Sequence, residues 1–323
     1  MKLYIGCDLG GTNLRAAIVD VETGEVLRLQ SVPTLARDGH AAVMQRMAEL
    51  FLRVIEAAGL SKDQVGGIGI GVPGRLDLEK GATLFLPNLP GNWPNVPLAA
   101  TITDLTGLPV ALLNDVRAIT FGEWRFGAGR GVDTVAVFAI GTGIGGGLVV
   151  NGKLHLGIGG TAGELGHMVI DFNGPRCGCG NYGCVEVYAS GPAIAAMGMK
   201  AVAQGLTTRI GELCEYDLNR ITPELIGKAA ELGDEIAREI YRQAGFYLGI
   251  VASSICAAVA PRRIIIAGGV SAAGRLLLDP MEQTLRERVR MMPVEQVELV
   301  TATLGGNAGV IGAASWAAER LDV

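Results

Sequence analysis

Two glycine-rich turns, each placed between β-strand patterns, constrain the fold of this chain more than any other feature. The first turn, at 8–13, reads DLGGTN, and the second, at 141–147, reads GTGIGGG. The strand patterns that flank them are 3–8, 14–20, 133–140 and 145–150. Short β-rich runs joined by a glycine turn are typical of β-hairpins. The sequence therefore predicts one hairpin near the start of the chain and another near its middle.

The elements around the two hairpins follow a similar order. After the first hairpin, the sequence predicts a strand, a helix and a strand at 25–32, 41–58 and 65–72. From Asn114 onward, it predicts a helix, two strands and a third strand at 114–124, 133–140, 145–150 and near 167–171. This order mixes antiparallel with parallel pairing, unlike a simple βαβ alternation. Because 323 residues exceed the usual size of one core, we expect two α/β domains with a cleft between them.

Charge and hydropathy exclude several classes of function. The net charge of −5 offers no basic surface for nucleic acid. The N-terminal run meets Asp8 before it reaches the length of a signal peptide, and no stretch supplies about 20 uncharged apolar residues. We therefore expect a cytoplasmic protein that binds neither nucleic acid nor a membrane.

Both glycine turns are suited to binding phosphate. Gly10 and Gly11 lack a Cβ, so consecutive backbone N–H groups can form an anion nest, and Thr12 and Asn13 add donors. An ordinary hairpin turn is the alternative. The second turn matches G-x-G-x-x-G, but a strand follows it where a dinucleotide site requires a helix. Because the sequence also lacks the P-loop motif, we expect two glycine hairpins around one nucleotide.

Three of the six cysteines lie within eight positions, at Cys177, Cys179 and Cys184. With His167 they form a Cys₃His set, which tetrahedral Zn²⁺ closes without leaving a position for water. The alternative is a core histidine beside free thiols. The cluster predicts a structural zinc ion that would hold neighbouring side chains in place.

Asn114 and Asp115 lie where an apolar strand pattern meets a helical one. Such a pair is an ordinary helix N-cap, but side chains at a strand end also commonly border a cleft. Beside phosphate turns, Asp115 is a candidate base for an acceptor hydroxyl, and Asn114 can hold a neighbouring hydroxyl. The loops 69–75 and 86–93 fit either a sugar pocket or plain loop chemistry.

These motifs resemble those of known sugar kinases. The segments 8–13, 141–143 and 268–269 are similar to the phosphate and adenosine motifs of the actin-like ATPase superfamily. The pattern E-x-x-H that starts at Glu164 and the pattern C-x-C-G-x-x-G-C-x-E that starts at Cys177 resemble the ROK family (repressors, open reading frames and kinases).

The ROK resemblance extends over residues 2–318 and implies a fold class and a domain division. The fold would be a two-domain actin-like ATPase (ribonuclease H-like) α/β fold with a cleft between the domains. The smaller domain would comprise 1–117, with a helix at about 306–323 returning to it. The larger domain, 118–305, would carry the zinc motif.

The resemblance also implies the functional residues. Asp115 would be the catalytic base. The sugar would bind to Gly74, Asn88, Asn114, Asp115, Glu164, His167 and Glu186. The nucleotide would bind to Asp8, Gly10, Gly11, Thr12, Asn13, Arg15, Gly141, Thr142, Gly143, Gly268 and Gly269. Mg²⁺ would bind to Asp8, and zinc would bind to His167, Cys177, Cys179 and Cys184. Arg117 departs from the family pattern, because many relatives carry Asn there.

The activity implied is that of an ATP-dependent hexose kinase with Mg²⁺ and structural Zn²⁺, and foremost a glucokinase that phosphorylates the 6-hydroxyl of glucose. An N-acetylmannosamine or N-acetylglucosamine kinase is the alternative enzyme, and a non-catalytic sugar-sensing regulator is the alternative from another class. We expect a homo-oligomer, dimer or tetramer, although an apolar helix pattern such as 234–260 fits a core as well as a dimer face.

Overall fold

The computed structural model describes residues 1–322 and contains two five-stranded mixed sheets. The first, in the order β3-β2-β1-β4-β7, consists of β1 (Leu3–Leu9), β2 (Asn13–Asp20), β3 (Glu25–Pro33), β4 (Val65–Val72) and β7 (Val110–Asn114). The second, in the order β10-β9-β8-β11-β12, consists of β8 (Val135–Ile140), β9 (Ile144–Val150), β10 (Lys153–Leu154), β11 (Arg263–Ala267) and β12 (Glu298–Thr301). A small hairpin contains β5 (Arg75–Asp77) and β6 (Ala82–Phe85).

The two large sheets share one topology, and both predicted hairpins form. In each sheet the first three strands along the chain pair antiparallel, and the last two pair parallel. The first hairpin closes with Leu9 opposite Leu14, and the second closes with Ile140 opposite Ile144. Each glycine turn therefore lies at the end of the central strand of its sheet.

Helices cover both faces of the two sheets. They are α1 (His40–Ala57), α2 (Leu98–Thr106), α3 (Asp115–Phe126), α4 (Glu186–Ala189), α5 (Gly191–Ala203), α6 (Arg209–Leu213), α7 (Pro223–Glu231), α8 (Glu235–Val259), α9 (Arg275–Arg288) and α10 (Ala308–Leu321). In the first sheet, α1 and α2 pack on one face and α10 on the other. In the second sheet, α5, α7, α8 and α9 enclose one face, and α3 contacts the other.

Several predicted elements are wrong in position. The third strand of the second sheet is Lys153–Leu154, not 167–171, where one isolated bridge joins Val169 to Cys184. The reason is local, because the chain around His167 folds onto the cysteine cluster. The apolar pattern over 187–203 is typical of one helix, but the helix is interrupted at Ser190, whose side chain caps α5. The helices α2 and α6 and the β5–β6 hairpin were not predicted.

The last helix returns to the first sheet. A Cβ on Gly6 of β1 would lie 1.8 Å from the Val310 carbonyl oxygen, so the backbone of α10 packs directly against the backbone of β1. A Cβ on Gly312 would lie 1.7 Å from the carbonyl oxygen of Ala118 in α3, so the two helices also touch through backbone. We propose that the domains divide as expected, at 117 and 305, with α10 belonging to the first.

The helix α8 is long and apolar enough to cross a membrane, judged by length and composition alone. Its face formed by Leu248, Val251, Ala252 and Ile255 lies in the core of the second sheet. This packing is typical of a core helix.

A buried carboxylate fastens the two chain segments that run between the sheets. Glu123, near the end of α3, is fully buried and accepts hydrogen bonds from the backbone N–H groups of Ala128 (2.9 Å), Thr303 (3.1 Å) and Leu304 (2.8 Å). Ala128 precedes the second sheet, and the other two residues precede α10. One side chain thus holds both connections in register.

Replacing Glu123 with alanine is expected to lower the free energy of unfolding by about 3 kcal/mol, because buried N–H donors would lose their acceptor. Urea denaturation followed by circular dichroism measures the change. The matched control is Glu319→Ala, at a side chain that is 50% exposed, for which a change within about 0.5 kcal/mol is expected. Equal midpoints for the two variants would contradict the role of Glu123.

Candidate active site

The first turn of α3 lies between the two sheets and places Asp115 there. Asp115 Cα is 3.6 Å from where a Cβ of Gly71 would lie, and Gly71 pairs with Asp8 across β4 and β1. On its other side, a Cβ on Gly145 at the start of β9 would lie 2.5 Å from Val116 Cγ2. The start of α3 is therefore next to the strand ends that carry both glycine turns.

Two partly buried carboxylates in this region have perturbed ionisation. Burial and, to a smaller extent, the nearby charge of Asp115 raise the pKa of Asp8 to about 6, and Arg15 opposes the change. Burial also raises the pKa of Asp115, whereas the Val116 N–H at 2.8 Å lowers it. Carboxylates whose charge is poorly solvated are suited to binding a cation or accepting a proton.

Asn114 is the N-cap of α3, so the capping interpretation is correct. Its Oδ1 accepts hydrogen bonds from the backbone N–H groups of Val116 (3.1 Å) and Arg117 (3.3 Å). The same side chain donates from Nδ2 to the carbonyl oxygen of Gly74 at 3.2 Å. Asn114 thus caps the helix and also faces the β4–β5 turn, which contains Gly74.

A surface pocket brings Gly74, Asn114 and Glu164 together. The backbone of Gly74 has φ +88°, and a Cβ there would lie 2.2 Å from the carbonyl oxygen of Phe85, so only glycine fits this turn. Three residues predicted to bind the sugar therefore share one cavity. Other residues that line the pocket, among them Gly160 and Thr161, were not predicted, although the glycine-rich segment 157–160 is typical of a tight loop.

Asn88 lies elsewhere, beside the first glycine turn. Its carbonyl oxygen is 3.1 Å from where a Cβ of Gly11 would lie, and its side chain is exposed. It is not among the residues that line the pocket containing Gly74. The 86–93 loop therefore borders the side of the site nearer the first turn.

The three glycine motifs present exposed or partly exposed backbone. In the first turn the Gly10 N–H donates to the Asn13 carbonyl oxygen at 3.0 Å, and residues 11–13 are exposed. In the second turn Gly141 N–H donates to the Gly143 carbonyl oxygen at 2.9 Å, and Thr142 is exposed. A Cβ on Gly268 would lie 2.3 Å from the Ile140 carbonyl oxygen, so the third motif is adjacent to the second turn.

Arg15 binds the segment that leads into α10. Its guanidinium donates to the carbonyl oxygen of Gly306 and, at 3.1 Å, to Asn307 Oδ1. Gly309, one turn further on, is close to Asp8, since a Cβ there would lie 3.7 Å from the carboxylate. Arg15 therefore joins β2 to the start of α10 and contributes positive charge near Asp8.

The predicted zinc ligands form one cluster. The ligand atoms of His167, Cys177, Cys179 and Cys184 all lie within 4.8 Å of one another. His167 Nδ1 is 3.7 Å from Cys177 Sγ, and the sulfurs of Cys179 and Cys184 are 3.8 Å apart. Two sulfurs in a tetrahedral zinc site with bonds of about 2.3 Å are separated by about 3.8 Å. The donor set and its spacing therefore fit Zn²⁺.

Glu186 connects this cluster to the second glycine turn. Its Oε2 accepts a hydrogen bond from the Ile144 N–H at 2.9 Å, and its Oε1 is 3.5 Å from Cys177 Sγ. A Cβ on Gly143 would lie 2.6 Å from Oε2, so a larger residue there would collide with the carboxylate. No local pattern in the sequence indicates this contact, which spans 42 positions.

Comparisons with known proteins agree on one family. The ROK family model matches residues 4–320. The glucokinase of Thermotoga maritima is 36% identical over 320 residues, 98% of this chain and 98% of that protein. The xylose repressor of Bacillus subtilis is 31% identical over 311 residues, 96% of this chain and 76% of the repressor. The crystal structure of a ROK family glucokinase from Streptomyces griseus, in complex with glucose and AMPPNP, gives a TM-score of 0.82 at 33% identity and covers 98% of this chain and 99% of that chain.

The match extends over both sheets and the last helix, so it concerns the whole architecture and not one motif. It confirms the predicted fold class, a two-domain actin-like α/β fold. The family match likewise includes the glycine turns, the start of α3 and the cysteine cluster. This chain is therefore a member of the ROK family.

Proposed function

We propose that this protein is an ATP-dependent glucokinase that transfers the γ-phosphoryl group of ATP to the 6-hydroxyl of glucose. The observation that carries the proposal is the position of Asp115, a carboxylate with a raised pKa between the strand ends of both glycine turns and next to the pocket residue Asn114. The glucokinase relative from Thermotoga maritima and the glucose complex from Streptomyces griseus support the choice of activity and sugar.

In the proposed reaction, the oxygen of the sugar 6-hydroxyl attacks the γ-phosphorus while Asp115 accepts the proton of that hydroxyl. The bond from the γ-phosphorus to the β,γ-bridging oxygen breaks, and ADP leaves with that oxygen. A base with a raised pKa retains enough basicity to take the proton as the new bond forms. The residues proposed to position the sugar are Gly74, Asn88, Asn114, Glu164, His167 and Glu186.

The nucleotide is proposed to lie along the glycine motifs, where backbone N–H groups hold its phosphates. The residues of this site are Asp8, Gly10, Gly11, Thr12, Asn13, Arg15, Gly141, Thr142, Gly143, Gly268 and Gly269. Asp8 is proposed to bind the Mg²⁺ that accompanies ATP, since its carboxylate gains a compensating charge from the cation. The zinc ligands would be His167, Cys177, Cys179 and Cys184, and the ion would fix the chain around Glu186.

A coupled assay of ADP release tests the activity. Purified protein with ATP and Mg²⁺ is expected to turn over glucose with a higher kcat/KM than N-acetylglucosamine or N-acetylmannosamine. Faster turnover of an N-acetylhexosamine would favour the alternative enzyme. Glucose binding in calorimetry without turnover of any sugar would favour a sugar-sensing regulator, which the xylose repressor relative makes the second candidate. A cytoplasmic location and a homo-oligomeric state are part of the proposal.

A further inference from the structure

Arg117 is a buried cation in the wall of the proposed sugar pocket. Its side chain is only 2% exposed, and its guanidinium lines the cavity that contains Gly74 and Glu164. A buried guanidinium is stable only when its donors are paired, so its partners indicate its role.

Arg117 fixes the orientation of the Asn114 amide. Its Nη1 donates to Asn114 Oδ1 at 2.9 Å, and the same oxygen accepts the two backbone N–H groups of the helix cap. Three donors around one atom identify it as the oxygen, so the other atom is the NH₂ group. One of its two hydrogens goes to the Gly74 carbonyl oxygen. Asn114 can therefore act toward a ligand only as a donor.

Arg117 also holds Glu164. Its Nη2 lies 2.7 Å from Glu164 Oε1, whereas the Glu164 side chain remains 48% exposed toward the pocket side. Within residues 1–322, no hydrogen bond to Glu164 Oε2 is formed. An ionised carboxylate only accepts hydrogen bonds, so Glu164 offers one acceptor oxygen to a ligand.

The same guanidinium joins two walls of the pocket. Asn114 ends β7 of the first sheet. Arg117 also donates from Nη2 to the Thr161 carbonyl oxygen at 3.2 Å and from Nε to the Ala162 carbonyl oxygen at 2.9 Å. These two residues belong to the loop after β10 of the second sheet. Because the guanidinium is planar and rigid, its bonds fix the position of Glu164 relative to Asn114.

We infer that Arg117 is a positioning residue for sugar recognition, which sets Asn114 as donor and Glu164 as acceptor beside each other. This pair is complementary to hydroxyl groups, because a hydroxyl accepts from an N–H group and donates to a carboxylate. The inference rests on the proposed function. Arg117 acts on the sugar through these two side chains.

The test compares Arg117→Met and Arg117→Lys with the wild type in steady-state kinetics. Arg117→Met is expected to raise KM for glucose by about tenfold or more, while KM for ATP stays within about twofold, since charged hydrogen bonds that order the sugar ligands are lost. Arg117→Lys keeps the charge but not the planar fork, so a rise of about threefold or more is expected. Arg125→Met is the matched control, on the same helix and 42% exposed, and is expected to change neither KM.

A double-mutant cycle with Glu164→Gln separates positioning from general stability. If Arg117 acts through Glu164, adding Arg117→Met to Glu164→Gln raises KM for glucose by less than about threefold. A merely structural arginine would lower the melting temperature without this coupling. The inference is overturned by a folded Arg117→Met or Arg117→Lys variant with wild-type KM for glucose, by equal rises in both KM values, or by full additivity. A wild-type protein that does not phosphorylate glucose would instead overturn the proposed function.

Discussion

Replacing Asp115 with asparagine is expected to lower kcat with glucose by about 10²–10⁴-fold, the usual contribution of a positioned general base. The substitution keeps the size of the side chain but removes the carboxylate that we propose accepts the hydroxyl proton. Because the glycine turns and the sugar ligands are unchanged, KM for ATP is expected to stay within about twofold. The measurement is ADP release at saturating glucose and ATP.

The pKa shift of Asp115 gives this variant an internal fold control. Burial raises its pKa, so the folded state binds the proton more tightly than the unfolded state does. The ionised carboxylate therefore costs stability above its folded pKa, and this cost disappears as the pH falls below the unfolded pKa. At pH 7 the Asp115→Asn variant is expected to melt at the wild-type temperature or higher, and this difference should shrink at acidic pH. An Asp115→Asn variant with wild-type kcat would show that Asp115 is not the base. The matched control is Asp104→Asn, at an exposed carboxylate.

The parts of the fold that the sequence predicted are those encoded by local patterns. The first hairpin has apolar strands on both sides of Gly10 and Gly11, and the second has them on both sides of 141–143. The position of Asp115 at the start of a helix was predictable for the same reason, since a strand pattern passes into a helical pattern there. The cysteine cluster was predictable from spacing alone, because its ligands lie within 18 positions.

The parts that the sequence did not predict depend on contacts between distant positions. The segment 167–171 has a β-like pattern, but it folds around the cysteine cluster, and a two-residue strand at 153–154 pairs with β9 instead. Arg117 is buried only because the loop at 161–164, more than 40 positions away, packs against its guanidinium. The periodicity of apolar residues along the chain carries no information on contacts between such distant positions.

Four consecutive residues at the start of α3, 114–117, have four different structural roles. Asn114 caps the helix, Asp115 provides the carboxylate, and Arg117 holds the pocket loop. Val116 packs against Gly145 at the start of β9. The helix N-terminus therefore connects the strand ends of both sheets to the pocket.

Loss of the proposed zinc ion is expected to have the second largest effect. Plasma mass spectrometry should find one zinc ion per chain in the wild type. The Cys184→Ala variant should lose the metal, because the two cysteines and one histidine that remain hold zinc much more weakly than four ligands do. Its melting temperature should fall, since a structural metal contributes directly to folding. The kcat/KM for glucose should fall by more than about tenfold, because the chain that holds His167 and Glu186 loses its anchor.

The contact between Glu186 and the Ile144 N–H makes this prediction specific. Loss of zinc should loosen Glu186 beside the second glycine turn, so KM for ATP is expected to rise as well, unlike in Arg117→Met. Cys256→Ala is the matched control, because Cys256 is a buried core cysteine of α8 outside the cluster. Its zinc content should be that of the wild type, and its stability should fall by about 1 kcal/mol or less. Wild-type protein that contains no zinc, or a zinc-free Cys184→Ala variant with full activity, would show that the cluster does not support the site through a metal.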